Sequence, residues 1–176
     1  ATEDASPTSA TVRRPRWPSL SFVVGAAVVM TGAYIGAAAI ADNSFFTHLA
    51  TGRYIYENGF PHHDIYSFTA ANERWVVQSW LASVLYGAID HVVGLGGIRA
   101  LTAVLAGVVA GIGWMLTRAA YGLIARLAIA GTALGLGAVM WSPRPLMIGL
   151  VLLGVTVLVA EQRIPAPALL PVFWLW

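Results

Sequence analysis

The chain has no cysteine and no lysine. Without cysteine there is neither a disulfide framework nor a thiolate metal centre, and nothing from which to read a redox compartment. Charge of either sign is scarce: 10% of the 176 residues are charged, against about 25% in an ordinary soluble domain, while 58% are hydrophobic. That balance points to an integral membrane protein. A net charge of +2 on scattered arginines makes no nucleic-acid footprint, so nucleic acid is not an expected partner. Strand alternation is missing too. Backbone in lipid must satisfy its own hydrogen bonds, so the expected fold is all-α, a polytopic transmembrane helical bundle.

Residues 20–41 form an uncharged run of 22 residues, about 33 Å of helix against a hydrocarbon core of about 30 Å. Ala39-Ile40-Ala41 has the small-residue form of a signal cleavage site, but the run is too long for a usual signal peptide and is read as a span. Further apolar segments occupy 76–93, 100–117, 127–141 and 146–160, with an incomplete one at 166–176. The fourth and fifth, with 15 residues each, reach only about 22 Å, so they tilt little, snorkel Arg126 or Arg144, or cross incompletely. Residues 19–176 are thus expected to form one transmembrane domain. Residues 1–18, rich in Ala, Ser, Thr and Pro, read as a disordered cytoplasmic tail.

The basic cluster Arg13, Arg14 and Arg16 orients the N-terminus to the cytoplasmic side of a plasma membrane, which puts 42–75 outside. Simple alternation of the spans divides the arginines five against five, so the orientation rests on that cluster alone. Gly32 with Gly36, Gly107 with Gly111 and Gly131 with Gly135 are spaced to let helix backbones approach closely, or are simply the glycines common in such helices. The chain starts at Ala1 without methionine and stops within an apolar run, from which a longer native protein is expected.

The external segment 42–75 gathers Asp42, His48, Arg53, Glu57, His62, His63, Asp64, Glu73 and Arg74 between stretches almost free of charge. Within it, 44–58 reads as a short amphipathic helix at the membrane interface, with Phe45, Leu49, Gly52 and Tyr56 on one stripe. Asp42, Asn43 or Ser44 can cap its start, and Asn58-Gly59 before Pro61 is a stop. A strand-like stretch at 65–69 and a turn at 71–74 precede re-entry.

Asp42 directly after the first helix, His48, Gly52-Arg53, Gly59-Phe60-Pro61, Asp64-Ile65-Tyr66-Ser67-Phe68-Thr69 and Trp75-Val76-Val77-Gln78-Ser79-Trp80-Leu81 follow in an order that resembles the first external loop of C-type polytopic glycosyltransferases, in particular the protein O-mannosyltransferase and lipid A aminoarabinose transferase group. The resemblance covers roughly residues 20–90. It implies an enzyme that moves a sugar from a polyprenyl-phosphate donor to an acceptor hydroxyl on the outer face of the membrane, with no required cofactor. On that reading Asp42 is the candidate base, its pKa raised by partial desolvation, with a helix cap as the alternative. Asp64 becomes a structural or acceptor-side carboxylate. His48, Arg53, Arg74 and Arg144 are candidates for the donor phosphate, which needs fixed cations and hydrogen-bond donors as it departs.

Each of these residues also has a plainer use. Arg53 can meet lipid headgroups, Arg74 can belong to its turn, and Arg144, in Ser142-Pro143-Arg144-Pro145, can sit in an ordinary connection. His62, His63 and Asp64, with Asp42, offer nitrogen and oxygen donors for a divalent cation, or else form a solvated turn. Asp90-His91 is expected to close the second span on the cytoplasmic side. The rival function is a non-catalytic accessory subunit of a larger membrane complex, docking on partner subunits. A transporter ranks last, because no acidic residue lies in the middle of an apolar segment.

Overall fold

The computed structural model describes residues 18–38, 40–71 and 73–175. Most of the expected tail, 1–17, lies outside them. Among the described residues the fold is all-helical, with no strand and seven α-helices: α1 Leu20–Gly36, α2 Asn43–Asn58, α3 Trp80–Val93, α4 Leu95–Leu116, α5 Gly122–Gly137, α6 Pro145–Ala160 and α7 Leu169–Leu175. Single 3-10 turns extend α4 and α5 at their C-termini and precede α7.

α1 and α4 form the backbone of the bundle and run antiparallel. Gly25 lies beneath the Trp114 indole, Gly32 against Ala110 and Gly36 against Ala106 and Thr102. A Cβ on Gly36 would fall 2.6 Å from the Ala106 Cβ and 2.7 Å from the Thr102 carbonyl oxygen, so the first expected glycine pair does set the distance between two helices. Gly107 and Gly111 face Val29 and Ala33 at ordinary van der Waals range or slightly closer, while Gly131 and Gly135 meet nothing. α5 returns along α4, its Ala130 and Leu134 sharing a core with Val109, Ala110 and Trp114. α6 runs in the same direction as α4, with Gly154 against Ile112 and Met147 fully buried in that core.

The antiparallel pairing fixes where everything else sits. The Arg99 guanidinium, in the first turns of α4, donates to the Ala37 carbonyl at 2.6 and 3.0 Å, so α4 begins beside the end of α1. The chain therefore leaves α1 and enters α4 at the same end of the bundle, with both α2 and α3 in between. α3 is not the connection to the opposite end that the apolar run 76–93 suggested. It begins only at Trp80, has 14 residues, and lies parallel to α2, with His48 opposite Ser83, Gly52 opposite Gly87 and Tyr56 opposite His91. Phe45, Leu49, Ala82, Tyr86 and Ile98 close the space between α2, α3 and the start of α4. Gly94, at φ 74°, makes the tight turn into α4 that a side chain would strain.

Other boundaries also differ from expectation. α1 stops at Gly36, short of residue 41; α4 begins at Leu95 rather than 100; and α5 begins at Gly122, which places Arg126 inside the helix. The stretch 65–69 forms no strand, because the Asp64 carboxylate turns the chain by accepting from the Tyr66 and Ser67 amides at 2.7 and 3.1 Å. Two helical stretches, Leu95–Ala119 and Gly122–Met140, are long and apolar enough to cross a membrane, with 25 and 19 residues, whereas α1, α3 and α6 are shorter apolar helices.

Candidate functional site

Asp42 is the N-cap of α2, and its two carboxylate oxygens do different things. Oδ1 accepts from the Ser44 amide and the Ser44 hydroxyl, each at 2.9 Å, which satisfies the first turn of the helix. Oδ2 accepts from the Ser142 hydroxyl at 2.7 Å and pairs with the Arg144 guanidinium. The Asp42 side chain is 7% exposed and that of Arg144 45%, so the pair is open on the arginine side only. Ser142-Pro143-Arg144 joins α5 to α6, and Pro145 at the first position of α6 suits a helix start. A link across 102 residues of sequence thus brings the α5–α6 connection onto the start of α2.

The electrostatics reverse one expectation. The hydrogen bond from Arg144, opposed by burial and reinforced by Ser142 and Ser44, holds the Asp42 carboxyl far below the usual carboxylate range rather than raising it. Arg144 is itself pushed up by the same contact. Asp42 is an ionised, well-satisfied carboxylate and, while paired, a weak base. His48, one turn along α2, shares a 3.1 Å hydrogen bond between its Nδ1 and the Ser83 hydroxyl. Burial lowers its pKa, and the nearby negative charge of Asp42 opposes that only in part.

Arg53 is placed elsewhere. It donates to Asp90 at 2.7 Å across the α2–α3 contact, which raises its pKa and leaves its charge paired. Tyr56 packs on His91 beside it, with ring centroids 4.3 Å apart. Asp90-His91, expected on the opposite side of a membrane, therefore clasps α2 at the same end of the bundle as Asp42.

A third group lies on the crossover 59–79. His62 and His63 are joined to Glu73, Arg74 and Trp75 by a short antiparallel bridge, with amide bonds of 3.0 Å from Asp64 to Glu73 and from Trp75 to His62. His62, His63, Arg74 and Trp75, together with Phe60, Val77 and Trp80, line a cavity of about 670 Å³. Tyr66 anchors the crossover to α2 through a 2.8 Å hydroxyl bond with Thr51. Asp64 is used by its own turn. No group of three or more His, Asp or Glu side chains placed to hold a metal ion occurs among the described residues.

The structure therefore brings Asp42, His48 and Arg144 to one place, sets Arg74 with His62 and His63 in a second, and commits Arg53 and Asp64 to local contacts. Ser142 and Ser83 complete the first group. Neither is distinguishable in sequence, since a serine carries no signal until its partner, 100 residues away in the case of Ser142, is known. No protein-family model, curated protein or solved structure matches this chain.

Proposed function

We propose that this chain is part of a multi-pass membrane glycosyltransferase that moves a sugar from a polyprenyl-phosphate donor to an acceptor hydroxyl on the outer face of the membrane. The observation that carries the proposal is the Asp42–Arg144 pair at the loop end of the bundle, beside the partly buried His48. A carboxylate and an exposed guanidinium in contact are the two charges that such a transfer uses, one for the acceptor proton and one for the departing phosphate. Donor phosphate draws Arg144 away from Asp42. The carboxylate then returns toward its ordinary basicity and takes the acceptor proton. The acceptor oxygen bonds to the anomeric carbon, the bond from that carbon to the phosphate oxygen breaks, and polyprenyl phosphate leaves with the electron pair.

The membrane part of the proposal assigns α1, α4, α5 and α6 as spans and lays α2 and α3 at the outer surface. The large apolar side chains that face outward on α5 and the 3-10 turn extending it, Ile124, Leu136 and Val139, then meet lipid. On this arrangement Arg13, Arg14, Arg16, Arg118, Arg126 and Arg163 fall on the cytoplasmic side, six against the four of Arg53, Arg74, Arg99 and Arg144, which favours an N-terminus inside. No metal is needed for the step as written.

A non-catalytic accessory subunit remains the second reading, favoured by the full set of hydrogen bonds on Asp42, which also suits a purely structural clasp. The test is Asp42→Asn in a membrane transfer assay with a polyprenyl-phosphate sugar. Transfer is expected to fall by at least about a hundredfold, the scale of a lost general base, with membrane insertion unchanged. Full transfer in that variant removes Asp42 from the chemistry.

A further inference from the structure

At the end of the bundle opposite to Asp42, a groove of about 560 Å³ runs between α1 and α4. Its mouth carries Ser19, Ser21, Arg118 and Arg126, and its body is apolar, with Phe22, Val29, Met30 and Met115 along the walls. Arg126 is held rigidly. Its Nε donates to the Thr117 hydroxyl at 3.2 Å, one terminal nitrogen to the Ser21 hydroxyl at 2.8 Å and the other to the Trp114 carbonyl at 3.2 Å, while the guanidinium lies 4.0 Å over the Trp114 ring. Those bonds use three of the five N–H donors of the group, and all three acceptors are neutral. The Arg118 side chain beside it is exposed and makes no hydrogen bond or ion pair among the described residues. Among the described residues, no acidic residue lines the groove.

A preorganised, uncompensated guanidinium with a second arginine at the mouth of an apolar trough is the pattern that receives a phosphate head group with a hydrocarbon tail. A soluble phosphate could use the arginines but would gain nothing from the trough. From Ser19 to Met30 the wall is about 16 Å long, the reach of much of an acyl chain. The 17 residues of α1 put the arginine end of this groove about 25 Å from Asp42, too far to belong to the transfer site.

We infer that this groove binds one anionic phospholipid, with its phosphate on Arg118 and Arg126 and an acyl chain between α1 and α4. The inference rests on the membrane part of the proposal above and not on sugar transfer. It is tested by native mass spectrometry of the whole protein in detergent, delipidated and titrated with phosphatidylglycerol, phosphatidylcholine or inorganic phosphate. One phosphatidylglycerol is expected to bind more tightly than phosphatidylcholine by about fivefold for each arginine, and Arg118→Gln, which breaks no side-chain hydrogen bond or ion pair among the described residues, to lose about fivefold for the anionic lipid alone.

Equal binding of the two lipids, or unchanged phosphatidylglycerol binding in Arg118→Gln, overturns the inference. So does competition by millimolar inorganic phosphate, which indicates a site for a soluble anion. Carbonate extraction of membranes keeps the two levels apart. A protein that stays in the membrane but shows no anionic preference refutes only the lipid site, whereas one that washes off refutes the membrane reading beneath it.

Discussion

At the scale of single residues, the pairing of Asp42 with Arg144 has a defined pH signature. The folded carboxyl value is depressed, so its contribution to stability is present in full above the unfolded value of about 3.9 and is lost as pH falls below it. Arg144→Gln removes the main cause of the depression. Melting temperatures of the two proteins in detergent are expected to differ most at neutral pH, by at least a few degrees, and to converge as pH drops below about 4. A constant difference across that range rules the pair out as its source. Asp42 could be picked out of the sequence because charge is so rare there, and its capping role could be read from the helix that follows. Its guanidinium partner could be listed but not placed, and the direction of its pKa shift depended on that placement.

At the scale of elements, α2 and α3 meet backbone to backbone. A Cβ on Gly52 would collide with the Ser83 carbonyl, and one on Gly87 with the Gly52 backbone. Overpacking of this kind typically costs about 1–3 kcal/mol. Gly52→Leu is therefore expected to loosen α2 from α3 and expose the crossover 59–79 to proteolysis faster than in the native protein, while a cut pattern identical to the native one counts against the contact. α2 was legible because its caps and its apolar stripe agree, although Ile55 and not Tyr56 completes that stripe. α3 was less legible, because a short helix packed against a neighbour and the middle of a span have the same apolar composition. Only the arrangement of α1 and α4 separates the two, and no local pattern contains it.

At the scale of the whole molecule, the absence of cysteine makes the topology directly measurable. Single cysteines in place of Glu57, Val92 and Ser142 are expected to react with a membrane-impermeant maleimide from one side, and those in place of Ala119 and Gln162 from the other. Labelling of Val92→Cys from the side of Ala119 makes α3 a span and moves Asp90-His91 away from α2. The helical class followed from composition, since nothing else disposes of so much apolar surface with so little charge.

The 102-residue sequence separation of Asp42 and Arg144 also sets a schedule for the newly made chain. At about 5–20 residues per second, synthesis reaches Arg144 roughly 5 to 20 seconds after Asp42. During that interval α2 can already be capped by Asp42 through Ser44, yet the carboxylate has no guanidinium beside it and lacks the main cause of its lowered pKa. The pair closes only when the α5–α6 connection arrives, so the segment after α1 has its helix before it has its charge balance.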